Sequence, residues 1–297
     1  MTRISIIGSG FVGLHVGEAF EKLGHDVIFY DIDVKRLEHI SNTHEVTRSI
    51  QDAIDFSEIS FVCVPTPTTN GKLDLVHVIS ACKDMARALR RKEVYHLIVV
   101  KSTVLPTTTE SVIIPLIEEH SGKTVPSDIG VCVNPEFMTQ IHRSWTDNGS
   151  FSRDFFSEER IVIGEWDERA GDILEELYKP LNKPIFRVGL REAEFIKYAA
   201  NCALATKISY WNQIFLIARE MGFSHERVQE LVNIVALDKR IGKYGSVLGK
   251  AFGGRCLPKD LKAFISFSQE AYGINPILLR AVNDINELMS KEFGVRE

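Results

Sequence analysis

The chain has 297 residues, 44% of them hydrophobic and 25% charged, and a net charge of −5. These values are those of an ordinary soluble globular protein with room for two domains, and the lack of a basic block argues against nucleic-acid binding. No stretch approaches a transmembrane span and no signal-peptide cleavage region follows the N-terminus, so we expect a cytoplasmic protein. The five cysteines include no C-x-x-C pair, so we expect neither a disulfide framework nor a metal site.

A glycine-rich turn lies near the N-terminus, between an apolar run at 4–7 and a helical pattern that reaches Leu23. The spacing G-x-G-x-x-G, in the order strand, turn and helix, is typical of a dinucleotide site. The first glycine makes the turn, the second admits the pyrophosphate, and the third lets helix and strand pack closely. The predicted cofactor-binding residues of this turn are Gly8, Gly10, Phe11, Val12 and Gly13.

The second predicted strand, at 26–30, ends at Asp31. An acid at this spacing after the glycines receives the ribose hydroxyls of NAD, and it would repel the 2′-phosphate of NADP. The sequence therefore predicts NAD as the cofactor and Asp31 as one of its ligands.

Strands and helices alternate through the rest of the N-terminal half. Further strands are predicted at 59–64, 95–100, 129–133 and 160–164, with helices at 75–89, 108–119 and 170–178. This alternation predicts an α/β fold, with a doubly wound, Rossmann-type parallel sheet in a domain over 1–189.

The remainder of the chain is predicted to be helical. No glycine or proline occurs over 190–221, and the apolar positions there follow helical spacing. A continuous helix of that length would extend about 45 Å, and such helices usually span domains or form dimer interfaces. With shorter helices at 226–235 and 276–293, we expect an all-helical domain over 190–297, built on one long central helix and forming a homodimer.

One cysteine lies in a stretch rich in glycine and proline, Phe252-Gly253-Gly254-Arg255-Cys256-Leu257-Pro258-Lys259-Asp260. Glycines let a backbone approach a ligand, proline stiffens a loop, and nearby positive charge favours thiolate over thiol. We interpret this stretch as a loop that presents Cys256 as a nucleophile. The alternative is a half-buried structural cysteine in an ordinary turn.

This stretch resembles the active-site loop of the nucleotide-sugar dehydrogenases, the family of UDP-glucose and GDP-mannose 6-dehydrogenases. The helix over 194–201, with the sequence EFIKYAAN, is similar to a helix of that family. The family's V-P-T-P, K-S-T and N-P-E-F motifs are matched after three predicted strands by Pro65-Thr66-Pro67, Lys101-Ser102-Thr103 and Asn134-Pro135-Glu136-Phe137.

The resemblance implies oxidation of a nucleotide sugar's primary alcohol to a uronic acid, with two NAD used in succession. Lys197 and Asn201 would bind the oxygen of the reacting carbon. Cys256 would attack the aldehyde, so that a thiohemiacetal and then a thioester form. Thr103 and Glu136 would position the hydrolytic water.

The resemblance also implies roles for several further residues. Asp260 would act either as a base or as the partner that orients Lys197. Thr66 and Thr103 would lie near the cofactor. The implied substrate contacts are Glu136, Lys197, Asn201, Arg240 and Gly253.

Two departures from the family pattern bear on activity. Gln140 replaces a second acid that commonly follows the N-P-E glutamate, and an amide cannot accept a proton as a base. Members of the family usually have a third domain that binds the nucleotide of the substrate. This sequence contains no counterpart of that domain, so we expect impaired activity unless another chain supplies the nucleotide-binding site. The sequence of the segment 141–156 predicts no function for it.

Two alternative functions stay open at this point. A single-step hydroxyacid dehydrogenase also combines a Rossmann domain with helices, and it would use Lys197 and Asn201 without Cys256. A nonenzymatic NAD-binding dimerisation module would need no catalytic residue.

Overall fold

The structure is a computed structural model, and it describes residues 1–139 and 153–296. Two compact units divide the chain. The second unit contains Thr68–Lys72 and the chain from Tyr198 onward. The first unit comprises Met1–Pro67, Leu73–Met138 and Arg153–Lys197.

Eight of the twelve strands in the described residues form one sheet, which lies in the first unit. In chain order the strands are β1 (Arg3–Ile7), β2 (Asp26–Tyr30), β3 (Glu45–Thr47), β4 (Ile59–Val62), the short pair β5 (Thr68–Thr69) and β6 (Lys72–Leu73), β7 (His96–Val100), β8 (Ile129–Val133), β9 (Ile161–Glu165), β10 (Ile185–Gly189), β11 (Ala251–Phe252) and β12 (Val295–Arg296). The sheet order is β10-β9-β8-β7-β4-β1-β2-β3, and β11 pairs with β12 separately.

The predicted doubly wound sheet is confirmed, with one antiparallel pair. Every neighbouring pair of the sheet is parallel except β8 and β9. The edge strands β3 and β10 were not predicted, because β3 has only three residues and β10 follows Pro184 in a stretch interpreted as the end of the domain. Both edge strands are partly exposed, so they lack the continuous apolar runs of the buried central strands.

Helices cover both faces of this sheet and build the second unit. They are α1 (Phe11–Lys22), α2 (Val34–Ile40), α3 (Ile50–Phe56), α4 (Val76–Leu89), α5 (Ile114–Ser121), α6 (Glu168–Tyr178), α7 (Leu190–Glu220), α8 (His225–Val235), α9 (Leu257–Tyr272) and α10 (Ile277–Phe293). One sheet face packs against α3, α4 and α5, and the other against α1, α2 and α6. Burial on both faces explains the nearly continuous apolar runs of β4, β7 and β8.

The long central helix is confirmed as α7, which has 31 residues. The boundary between the two units falls within it, between Lys197 and Tyr198. In the second unit, α7 supplies Ile208 to a core shared with α9 and α10, and Trp211 and Phe215 to a core shared with α8 and α10.

The predicted loop through Asp260 was wrong in part. Helix α9 begins at Leu257, directly after Cys256, so Pro258 and Asp260 lie in its first turn. Proline is compatible with this position because the first N–H groups of a helix have no intrahelical acceptor. Cys256 is therefore the N-cap of a helix.

None of the helices in the described ranges is both long and apolar enough to cross a membrane.

Candidate active site

The glycine turn between β1 and α1 forms a cradle that only glycine permits. Gly8 has a φ of +101°, and a Cβ on it would lie 2.9 Å from the Cys63 carbonyl oxygen. A Cβ on Gly13 would lie 1.9 Å from the Gly8 carbonyl oxygen. Gly10 is the N-cap of α1 and makes no side-chain cap bond, and the helix has no acid in its first turn. These features fit a dinucleotide pyrophosphate at the helix N-terminus, beside Phe11 and Val12.

Asp31 closes this cradle at the end of β2. Its carboxylate accepts hydrogen bonds from the backbone N–H of Ser9 and of Asp33, both at 2.8 Å. Arg36, which the sequence analysis did not single out, places Nη1 3.6 Å from Asp31 Oδ2. In the sequence, Arg36 is recognisable only as a basic residue five positions after Asp31.

The polar residues that follow β4, β7 and β8 all belong to the first unit. Thr66 is buried. Ser102 Oγ donates to the Val64 carbonyl oxygen at 2.7 Å, which ties the segment carrying Thr103 to the one carrying Thr66. Thr103 itself is half-buried.

Lys101 and Asn134 form a buried hydrogen-bond network beneath the segments that follow β7 and β8. Lys101 Nζ donates to Asn134 Oδ1 at 2.8 Å, and the Tyr178 hydroxyl donates to the same oxygen. The Asn134 amide donates in turn to the Val162 carbonyl at 2.8 Å. Burial lowers the pKa of Lys101, and neighbouring Glu158 and Glu136 oppose that shift.

Lys197 and Glu136, both predicted site residues, lie together. Lys197 Nζ is 3.2 Å from Glu136 Oε1, and it also donates to the Glu136 backbone carbonyl. Glu136 Oε2 accepts the N–H of Met138 at 2.8 Å. Both side chains are buried, so this is an ion pair fixed by hydrogen bonds on each partner, which is the condition for keeping charges inside a protein.

In the second unit, Cys256 differs from the other cysteines. It is half-exposed, whereas Cys63, Cys82, Cys132 and Cys202 are buried. Burial raises the pKa of Cys63, Cys82 and Cys202 to about 12, and it also raises the pKa of Cys132. These four thiols stay protonated at neutral pH, and Cys256 is set apart from them by its exposure.

Asn201 and Asp260 also lie together. Asn201 Nδ2 donates to Asp260 Oδ2 at 2.6 Å, and Lys259 Nζ pairs with Asp260 Oδ1. Asp260 is 1% exposed, and it occupies the first turn of α9. An amide nitrogen carries two hydrogens, so this bond fixes the Asn201 amide and leaves its second N–H for another acceptor.

Gly253 and Arg240, two of the predicted substrate contacts, differ in exposure: Gly253 is packed against a neighbouring strand, and Arg240 lies at the surface. Gly253 lacks room for a side chain because a Cβ there would lie 2.3 Å from Val295 Cγ1, so packing against β12 already explains this glycine. The Arg240 side chain is 88% exposed and pairs with Asp238. Gln140 and positions 141–152 lie outside the described residues.

The fold and the glycine cradle define the class of the protein. A doubly wound sheet with a glycine turn after β1 and an acid after β2 is the architecture of Rossmann-type dehydrogenases. A family model described as the NAD-binding domain of the UDP-glucose/GDP-mannose dehydrogenase family matches residues 2–46 and 38–182. The model of that family's central domain matches residues 191–288. The chain belongs to the UDP-glucose/GDP-mannose dehydrogenase family, which confirms the predicted resemblance and implies a nicotinamide cofactor.

Individual relatives agree with this assignment. The chain is 38% identical to a UDP-glucose 6-dehydrogenase of Haloferax volcanii, over 96% of this chain and 69% of the relative. It is 36% identical to a GDP-mannose 6-dehydrogenase of Pseudomonas syringae, over 88% of this chain and 63% of the relative. The solved UDP-glucose dehydrogenase of Pyrobaculum islandicum matches with a TM-score of 0.88 and 35% identity, over 98% of this chain and 69% of that structure. The chain therefore spans 63–69% of the length of these relatives.

Proposed function

We propose that this chain catalyses the NAD-dependent oxidation of a nucleotide sugar's primary alcohol to the uronic acid, with Cys256 as the nucleophile. One observation carries the proposal: Cys256 is the half-exposed cysteine, at the N-cap of α9, while four other thiols are buried. The positive end of a helix dipole favours an anion at that position. The relatives named above are 6-dehydrogenases of UDP-glucose or GDP-mannose, which supports a substrate of that class.

In the proposed first step, the alcohol carbon loses a hydride and its hydroxyl loses a proton to water, which gives the aldehyde. Lys197 and Asn201 hold the oxygen of the reacting carbon. They lie four residues apart on α7, one helical turn along. An ammonium group and an amide N–H both stabilise negative charge that develops on oxygen. Glu136 and Asp260 keep these two donors in fixed orientations through the contacts described above.

In the proposed second step, Cys256 Sγ forms a bond to the aldehyde carbon, and the carbonyl oxygen becomes a thiohemiacetal alkoxide. Loss of a hydride from that carbon converts the adduct into a thioester. Water then cleaves the carbon–sulfur bond, which releases the acid and the thiolate. Thr103, with Glu136 or Asp260 as proton acceptor, would orient this water. When bound, NAD accepts one hydride in each oxidation.

The preference for NAD over NADP rests on Asp31. Its carboxylate, held by two backbone N–H groups, is aimed from the end of β2 at the turn that would carry the adenosine ribose. A fixed negative charge there accepts ribose hydroxyls and repels a 2′-phosphate.

The proposal includes a homodimer. Large apolar side chains are exposed on and beside α7 and α8, including Tyr210, Ile217, Met221, Ile234 and Leu237. We propose that these side chains contribute to the interface between two copies of the chain, since a contiguous exposed apolar patch marks an interaction site. Sedimentation of the purified chain should give twice the chain mass, and a monomer at micromolar concentration would contradict this part of the proposal.

The test of the activity is a screen of UDP- and GDP-sugars for NADH production, with the acid quantified in parallel. Two NADH per acid are expected. One NADH per oxidised product would favour the single-step hydroxyacid dehydrogenase. NAD binding without turnover of any nucleotide sugar would favour the nonenzymatic module.

A further inference from the structure

A buried glutamate outside every motif lies against the segment that carries Glu136. Glu158 is 8% exposed, and its Oε1 accepts the backbone N–H of Phe137 at 3.0 Å. Phe137 directly follows Glu136, whose own carboxylate accepts the N–H of Met138. Two carboxylates thus bind successive N–H groups of one short segment.

Buried charges of both signs lie around this segment. Among the described residues there, the buried ionic side chains are Lys101 and Lys197 on the positive side, and Glu136 and Glu158 on the negative side. Lys197 is paired with Glu136, while Lys101 contacts the neutral Asn134 amide. Glu158 and Lys101 each stabilise the charged form of the other.

Other titratable groups also lie around Glu158. The guanidinium of Arg160 lies 4.2 Å from the centre of the Phe137 ring and outside the buried set. Burial raises the pKa of both the Tyr178 hydroxyl and the Cys63 thiol, so both are neutral near pH 7. Burial also raises the pKa of Glu158, against the opposing effect of Lys101.

We propose that Glu158 is a positioning residue for Glu136: its carboxylate holds the backbone N–H of Phe137, and with it the short segment on which the Glu136 carboxylate is fixed against Lys197. This inference rests on the proposed role of Glu136 in the hydrolytic step. While Phe137 is held, the Glu136 carboxylate keeps its contacts with Lys197 Nζ and with the Met138 N–H. Without that bond, the segment and the carboxylate that it carries lose one of their buried anchors.

The test compares Glu158→Gln with Glu158→Ala. Glutamine keeps an acceptor for the Phe137 N–H and removes only the charge, whereas alanine removes both. Glu159→Gln is the matched control, because Glu159 is exposed and pairs with Arg153. The first readout is hydrogen exchange of the Phe137 backbone amide followed by NMR, which requires neither substrate nor cofactor.

The Phe137 amide should exchange about fivefold faster in Glu158→Ala than in the unsubstituted chain, the factor that corresponds to one lost hydrogen bond, and glutamine should restore most of the protection. The value of kcat should fall in Glu158→Ala with KM unchanged, and glutamine should restore most of the kcat that alanine loses. An unchanged Phe137 exchange rate in Glu158→Ala overturns the proposal, as does an equal change in Glu159→Gln. If Phe137 exchange responds as expected but no nucleotide sugar is oxidised, the proposed function fails and this positioning contact stands.

Discussion

Glu194 should make the chain less stable as pH rises through neutrality. It lies in the first turns of α7 and is 2% exposed. Its two carboxylate oxygens accept the backbone N–H groups of Thr107, at 2.7 Å, and Thr109, at 2.9 Å. Burial raises the pKa of Glu194 from 4.5 to about 7, although these hydrogen bonds oppose the shift.

The direction of this pH dependence follows from the number of protons that the folded and the unfolded chain bind. Between pH 4.5 and 7 the folded chain keeps the Glu194 proton and the unfolded chain loses it, so the free energy of unfolding falls with rising pH. A shift from 4.5 to about 7 corresponds to about 3 kcal/mol, fully present below pH 4.5 and lost above pH 7.

The variant Glu194→Gln isolates this effect because it stays neutral. Glutamine has one acceptor oxygen, so it gives up one of the two backbone bonds at a cost of about 1–2 kcal/mol that does not depend on pH. Urea unfolding of both proteins from pH 4.5 to 8 should show the difference between them moving in favour of glutamine by about 3 kcal/mol. The exposed carboxyl of Glu38, which pairs with Arg48, supplies the control Glu38→Gln. A difference between Glu194→Gln and the unsubstituted chain that stays constant with pH would refute the reasoning.

Three further predictions test the burial of His96, the glycine cradle and the cysteines. Burial lowers the pKa of His96 to about 3, so the unfolded chain binds its proton first as pH falls below 6.5. This group alone should lower the free energy of unfolding by about 3 kcal/mol between pH 6.5 and 4.5, opposite in sign to Glu194, so urea unfolding should show the difference between His96→Gln and the unsubstituted chain moving in favour of glutamine by that amount. Gly13→Ala should abolish NAD binding in a calorimetric titration, because its Cβ would meet the Gly8 carbonyl oxygen at 1.9 Å; unchanged affinity would show that the cradle does not bind the cofactor. Iodoacetamide at pH 8 should label Cys256 in the folded chain and leave the four buried thiols unmodified in a peptide map; equal labelling of Cys202 would contradict the assignment of a single reactive thiol.

The parts of the fold that the sequence predicts are those with strong periodicity. The strand–turn–helix context of Gly8 and the absence of glycine and proline over 190–221 identified the first turn and α7 in advance. Strand β3 was missed because three residues carry no readable alternation. Helix α9 was missed because Pro258 was interpreted as stiffening a loop, although proline is equally suited to a first helical turn.

In the candidate site, too, the sequence predicts the residues that belong to a motif and not the contacts that depend on folding. Motif spacing singled out Glu136 and Lys197, but not that they pair, because their contact joins residues 61 positions apart. Glu158 and Glu194 were missed, since a glutamate reads as a surface residue until its burial is known. The packing of Gly253 against Val295 was likewise invisible, because the sequence shows a missing side chain and not what fills its place.

The most direct test of Cys256 as the nucleophile is the product analysis of Cys256→Ala with NAD and the nucleotide sugar that the unsubstituted chain oxidises best. The thiol is required for the second oxidation, so the variant should form no uronic acid, while the unsubstituted chain forms one acid for every two NADH. Uronic acid formed by Cys256→Ala at the unsubstituted rate would contradict the mechanism.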